Sequence, residues 1–409
     1  GFEEKAVVKA VSNAVQEMEQ SAQEMCLSTP GGRFHVRWDE NGSATAMGQL
    51  AFFAEVLEVT GLFARWVEGC PLPYTSPNAP AVVDLLGTWL LSILDGQRRY
   101  AHIAGLRGDE VAPEILGMGK VVSDESLRRA LSALAPSLPK RCDESQRAIC
   151  LAQLIESTNW MDTALSESTG EALNTAWILD ADTSVKLLYG HQAGADISYN
   201  PRKPGRPSHT LHTYWISNVK LVLDVEVQSG KSHAAKHSLP RLRQLIEDLA
   251  LEKRPTLVRG DSAFGNEGVM AEMEEIGQRY LFKLRQTAGI KRLIERKGQQ
   301  NQWQPVGQGL DAVEDQIRLA GWSRARRIVV LRRQVKDNLA VEMNADTQQG
   351  TLHFVDHLDK IKVWEYAVLV TNADYSLEAF GQWYRDRADC ENGFDELKNQ
   401  WGWGGYTTH

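Results

Sequence analysis

The period of the apolar residues changes near residue 170, and this change restricts the chain to a two-part architecture. Before it, the pattern is that of helices. Residues 3–25 are polar with apolar positions spaced near 3.6, 44–70 continue as a helix, and prolines at 71, 73, 77 and 80 punctuate a loop. An amphipathic helix is expected over 81–95. Ser123 precedes a run with acids in its first turn, the signature of a capped helix start. Residues 134–146 read as a hinge and 146–158 as a further helix. After residue 170 strand-like runs appear at 175–182, 183–189, 212–217 and 219–227. A helix (233–252), a short strand (256–261), a helix (266–279) and a strand (280–285) follow. Strands first, then strands alternating with helices, predict an α/β fold with a mixed sheet covered by helices.

Residues 286–345 interrupt that alternation with a Gln/Gly-rich passage and strand-like pieces such as ARRIVVLRRQV, and carry eleven Lys/Arg against six Asp/Glu. A strand over 363–371 resumes the core pattern. The next run, Ser376–Lys398, reads as one helix capped by Ser376. At roughly 100° per residue, Tyr384, Arg387, Glu391 and Lys398 fall within about 60° of one another on its surface. A phenol, a guanidinium, a carboxylate and an ammonium thus form one polar stripe, which Asp395 shares. Any one of them is an ordinary solvated helix charge; the set of four is far more specific.

The spacing Tyr-x2-Arg-x3-Glu-x6-Lys resembles the signature of bacterial insertion-sequence transposases with a DDE triad. Four other stretches are similar to one branch, insertion-sequence family thirteen-eighty. They are RFHVRWDENGSA (33–44), YTSPNAPAVVDLLGTWLLSILDGQRRYAHIAGLRGD (74–109), LDADTSVKLLYGHQ (179–192) and RGDSAFG (259–265). The resemblance implies a ribonuclease-H-like core that holds divalent metal with two Asp and one Glu. It also implies a mainly β insertion between the second Asp and the Glu. On that basis four regions are expected: 1–140, helical and DNA-end-binding; 141–285, the first part of the core; 286–360, the β-rich insertion; and 361–409, the second part with the signature helix.

The chemistry suits such a set. In-line attack on phosphorus is assisted by two divalent ions, and hard ions such as Mg2+ (or Mn2+) take carboxylate oxygens. The candidates are Asp182 and Asp261, at the ends of two strands, and Glu391 on the helix. Asp180 shares a strand face with Asp182; the family pattern of an Asp closely followed by Thr, here Thr183, favours Asp182. Taken singly, each Asp is an ordinary turn or cap residue. Expected DNA contacts are Tyr384, Arg387 and Lys398, the loop PRKPGRP with Arg202, Lys203 and Arg206, and Arg326, Arg327, Arg332 and Arg333. His191 reads as structural before it reads as a DNA or site residue. Trp303, Trp322, Trp401 and Trp403 are stacking candidates for which core packing is the better single reading.

Composition bounds the rest. The net charge of −8 argues against a protein that coats DNA, so any basic surface must be local. The longest apolar run, Leu85–Leu94, is too short to span a membrane, and the first residues lack the basic region followed by an apolar run of a secretory signal, so none is expected. Five cysteines (Cys26, Cys70, Cys142, Cys150, Cys390) lack a C-x-x-C spacing, which fits a reducing cytosol and a cytoplasmic location. The start lacks Met, so a processed, engineered or truncated terminus is expected. The chain ends eleven residues after Lys398, where family members usually continue into helices that help pair subunits.

The expected function is a metal-dependent transposase that cuts the ends of its element and joins the 3′-OH to target DNA, as a homodimer on double-stranded DNA. The alternatives are a non-catalytic end-binding repressor fragment and a ribonuclease-H-like nuclease without strand transfer.

Overall fold

The computed structural model describes residues 24–29, 32–37, 42, 45–137, 143–190, 192–198, 200, 203–232, 234–300, 302–334 and 364–400. The side chains of 24–37, 388–391 and 398–399 lie outside that description. So do the expected helix over 3–23, part of the hinge, the second half of the insertion and the C-terminal tail.

The helical expectation for the N-terminal region needs one correction. Strands β1 (Glu24–Thr29) and β2 (Gly32–Arg37) pair antiparallel, with Glu24 opposite Arg37. A Pro-Gly-Gly turn signal separates two short runs, the second alternating Phe34 and Val36, and a helix cannot be carried through it. The single helix expected over 44–70 is two, α1 (Leu50–Thr60) and α2 (Leu62–Glu68). Gly61 adopts φ of 63° between them, the left-handed conformation that closes α1. Then come α3 (Val82–Leu94), a 3-10 segment (Tyr100–Gly108), α4 (Val111–Ile115), α5 (Asp124–Leu134) and α6 (Glu144–Thr169). Ser123 caps α5 by accepting from the Ser126 N–H, as its position predicts. Leu85, Leu91, Ile103 and Leu127 form the core of this part. Helix α6 is bound to it through Trp160, whose ring stacks on Trp66 and whose Nε1 donates to the Trp66 carbonyl at 2.8 Å.

Ten strands form one sheet. Strands β3 (Ile178–Leu187), β4 (Asp196–Ile197), β5 (Pro207–Ile216) and β6 (Leu221–Ser229) come first, then α7 (Ala235–Glu247) and β7 (Leu257–Gly260). Helix α8 (Glu267–Glu275), β8 (Tyr280–Lys283) and α9 (Ala288–Gln300) follow. Strands β9 (Gln304–Pro305), β10 (Leu310–Ile317), β11 (Arg326–Gln334) and β12 (Trp364–Thr371) lead to α10 (Leu377–Asn399). The order is β4-β5-β3-β7-β8-β12-β11-β10-β9, with β6 also on β5. β7 runs parallel to β3 and β8, and the other described pairings are antiparallel. The run at 178–187 is one continuous strand rather than the two that its sequence suggests.

Residues 286–334 do not build a separate β module. They begin with α9, and β10 and β11 extend the main sheet because β11 pairs with β12 along its whole length, Arg327 opposite Thr371 through Gln334 opposite Trp364. One sheet face is covered by α7, α8 and α9, with Leu242, Ile246, Met270, Met273, Ile290 and Leu293 packed on it. The other receives α10, where Phe380 and Leu377 meet Leu281, Leu331 and Leu369. Apolar residues are therefore needed on both faces of the central strands, which is why β7 and β8 read as short apolar runs without alternation.

Candidate active site

Two of the three expected carboxylates lie side by side on adjacent parallel strands, where the pairing of β3 with β7 ends. The register pairs Asp180 with Arg259 and Ala181 with Gly260. One step further along the two chains come Asp182 and Asp261. Asp182 accepts from the Ser184 hydroxyl at 3.2 Å, and Asp261 Oδ1 accepts from the Ala263 N–H at 2.8 Å. The second contact fixes the tight turn after β7. Both carboxylates are partly exposed, in contrast to Asp180.

Asp180 is committed elsewhere. Its two oxygens accept from Arg259 Nε at 2.6 Å and Nη2 at 2.5 Å, with both side chains buried. Arg259 Nη2 also donates to Ser217 Oγ at 2.6 Å, and Nη1 to the Trp383 carbonyl at 2.8 Å. One guanidinium thus ties β3, β7, the turn after β5 and helix α10 together. A buried ion pair of this kind stabilises only when its remaining donors are also satisfied, as they are here. The sequence signals neither the role of Arg259 nor its pairing, beyond its place two residues before Asp261 in RGDSAFG.

Helix α10 crosses this face of the sheet. Ser376 caps its start, accepting from the Ala379 N–H, as its sequence predicts. The Trp383 carbonyl holds it over β7 through Arg259. Ten residues on, Gly393 and Phe394 lie against Trp215 of β5, with the two rings 5.4 Å apart. A Cβ on Gly393 would come within 3.1 Å of the Trp215 ring, so a larger residue there would require the ring to shift. Trp215 is paired with Asp180's strand through the register Asp180↔Trp215. Glu391 occupies the helix between these two anchors, but its side chain, like that of Lys398, lies outside the described residues. A Cβ added at Gly96 would meet the Gln400 carbonyl oxygen at 3.0 Å, so the turn after α3 lies close to the end of this helix. It also reaches β3: burial, then the nearby Arg98, lowers the pKa of Lys186.

A cavity of about 320 Å3 opens beside Gly260, where Tyr384 and Arg387 of the polar stripe line it. The exposed loop places Lys203 and Arg206 around Tyr189, whose hydroxyl accepts from Lys203 Nζ at 2.8 Å. Arg202, His191, Trp401 and Trp403 lie outside the described residues.

The four arginines of β11 are differently placed from the expectation of open DNA contacts. Arg326 is buried between Glu267 and Glu274, and its guanidinium lies over Trp322. Arg327 pairs with Glu314 and covers Phe380; Arg332 pairs with Asp311 between the rings of Trp303 and Trp364, 4.1 Å from each. These three hold the sheet together, since guanidinium faces stack on aromatics while their edges pair with carboxylates. Arg333 pairs with Glu365 but remains 65% exposed and lines the cavity. Trp303 and Trp322 are accordingly packed residues.

The Arg326 cluster makes stability pH-dependent. Hydrogen bonds from Arg326 hold the Glu267 carboxyl at about 2, against an ordinary 4.5. Burial alone would raise Glu274, but bonds from Arg326 and Tyr280 outweigh it and lower its pKa. A depressed carboxylate contributes stability that is complete above its unfolded value and is lost as pH falls through its folded value. The urea midpoint of Arg326→Met is therefore expected to lie below that of the wild type at neutral pH. The gap should narrow as the pH falls from 4.5 towards 2. A gap independent of pH would show that packing, not the ion pairs, is what Arg326 supplies.

Among the described residues no group of three His, Cys, Asp or Glu is placed to hold a metal, and no helix is long and apolar enough to cross a membrane. The donors that are described are two carboxylates on neighbouring strands, Asp261 just past the end of β7 and Asp182 within β3 rather than at the strand end that its sequence suggests, and they have the chemistry of a hard-cation site.

Residues 32–408 match the family described as Transposase DDE domain group 1. The chain belongs to this DDE transposase family. Transposase domains of this kind generally use divalent metal. No curated protein matches the sequence. Among solved structures, the piggyBac transposase synaptic complex with hairpin DNA is similar at a TM-score of 0.43 and 12% identity, over 87% of this chain and 69% of that one. The Mos1 transposase paired-end complex with the left transposon end is similar at a TM-score of 0.19 and 13% identity, over 51% of this chain and 60% of that one.

Proposed function

We propose that this DDE transposase cleaves DNA at the ends of its own mobile element and transfers the resulting 3′-OH into target DNA, using Asp182, Asp261 and Glu391. The observation that carries the reading is the register of β3 and β7, which sets two carboxylates side by side under the helix that bears the third candidate. The strand order β6-β5-β3-β7-β8, three antiparallel and two parallel, supports a ribonuclease-H-like core.

Asp182, Asp261 and Glu391 would hold Mg2+ or Mn2+, which when bound activates the attacking hydroxyl and stabilises the leaving oxygen. Arg387 and Lys398 neutralise phosphates beside the cut, and Tyr384 hydrogen-bonds a phosphate or packs on a sugar. Arg202, Lys203, Arg206 and Arg333 extend the path of the duplex. The helical region to residue 140 recognises the element's ends, and its Arg98 adds positive charge next to Lys186 on β3. A homodimer would bring two ends together.

Nicking of element-end DNA with Mg2+, and joining of pre-cut ends, test this reading. Metal-dependent nicking with joining is expected. Nicking without joining would leave a nuclease, and end binding without either would leave a repressor.

A further inference from the structure

The cavity beside Gly260 has a lining that the polar stripe alone does not explain. It lies where β7 and β8 end under the first turns of α10, and Lys283, Arg333, Arg385 and Arg387 contribute to it with Tyr384 and Gly260. No described Asp or Glu lines it. That is unusual in a chain of net charge −8, where the arginines of β11 each face a carboxylate. Among the described residues neither Lys283 nor Arg387 forms an ion pair, and Lys283 Nζ stands 6.0 Å from the centre of the Tyr384 ring. Arg385 donates through its two Nη atoms to the Gly307 carbonyl and to Gln382, but its Nε is buried without a hydrogen-bond partner. A buried donor left unsatisfied is costly, and Arg385 is one of the residues that line this cationic hollow, so an acceptor seated here would have donors to meet.

Size and charge together select the ligand. About 320 Å3 is more than one phosphate group requires and too little for a folded partner. Lys283, Arg333, Arg385 and Arg387, with the Asp180-paired Arg259 behind them, stand beside an aromatic wall and match a phosphodiester flanked by its sugar. We infer that this cavity seats one backbone phosphate of the DNA strand next to the one at Asp261, and that Lys283 and Arg385 are positioning residues for it. This rests on the transposase reading and adds two residues to it, one from β8 and one from the helix face beside the stripe. Gly260 precedes Asp261 directly, so a phosphate held here fixes the strand relative to the carboxylates, which is where orientation affects rate most.

The test uses a fluorescent random-sequence duplex with a recessed 3′ end, titrated by anisotropy over a range of salt. Lys283→Ala is expected to bind about tenfold more weakly, as for loss of a charged hydrogen bond. Its log–log salt slope should be shallower by about 0.9. Lys283→Arg should restore both, a rescue that a purely packing role would not give. Unchanged affinity and slope in Lys283→Ala would overturn the inference. A second arm adds inorganic phosphate: if it raises the thermal midpoint of the wild type but not of Lys283→Ala, while duplex binding is equal in both, the cavity takes a free anion and the DNA assignment is wrong. The underlying reading fails separately, through normal nicking by Asp261→Asn, whatever Lys283 does.

Discussion

Asp261→Asn is expected to abolish metal-dependent nicking, with a loss of at least about 100-fold, while leaving affinity for duplex DNA close to that of the wild type. Loss of a residue that merely orients a metal ligand already costs roughly 10–100-fold, and a direct ligand costs more. The substitution keeps the shape and the Oδ1 acceptor that receives the Ala263 N–H, so the turn after β7 survives. What changes is charge: a carboxylate that can bind a hard cation becomes an amide. Asp182→Asn and Glu391→Gln should behave alike if the three act as a unit, and combining any two should then add little. Nicking rates with Mg2+, measured beside anisotropy on the same duplex, decide the matter. Equal nicking by Asp261→Asn and wild type would remove Asp261 from the site, and a parallel loss of binding would make it a folding residue instead.

Arg259→Met should lower the free energy of unfolding by about 3–5 kcal/mol, because it leaves the buried Asp180 carboxylate without its partner. It also strips the Trp383 carbonyl and Ser217 Oγ of a donor. The double substitution Asp180→Leu with Arg259→Met should recover much of that loss, since apolar replacement of a whole buried pair is often close to neutral. Nicking should not recover with it. The Trp383 carbonyl would still lack its tether, helix α10 would shift over the sheet, and an error of about 1 Å at Glu391 is enough for a loss of about 100-fold. Urea unfolding of the two variants, set against nicking rates under folding conditions, separates the two effects. If the double variant both refolds and cuts normally, Arg259 does not position the helix.

Much of the site is legible in the sequence because it lies on short, strongly patterned elements. The cap at Ser376 and the acid Asp261 just past β7 depend on local spacing, which the helix and strand periods reveal directly; the length of β3, which puts Asp182 inside the strand, is set by its pairing with β5. Asp180 and Asp182 share one face of β3, so spacing alone does not separate them; what distinguishes them in the fold is Arg259, 79 positions from Asp180 along the chain, which pairs with Asp180. The arginines of β11 look like a basic patch when written in a line. Their partners, Glu267, Glu274, Glu314 and Asp311, come from α8 and β10, and only pairing across the sheet brings them together.

By itself, then, the sequence determined which residue types could do the chemistry, the change of apolar period near residue 170, and the capped helix starts at Ser123 and Ser376, because these follow from nearest-neighbour periodicity and capping. The tertiary structure decided what no local pattern encodes. It made residues 304–334 an extension of one sheet rather than a separate module, consumed Asp180 in a buried ion pair, and left Lys283 and Arg387 facing a cavity that no Asp or Glu lines among the described residues. Those outcomes depend on strand order and on burial, which set the electrostatic partner of each charge; the same Arg or Asp is structural or functional according to what the fold places within 3 Å of it.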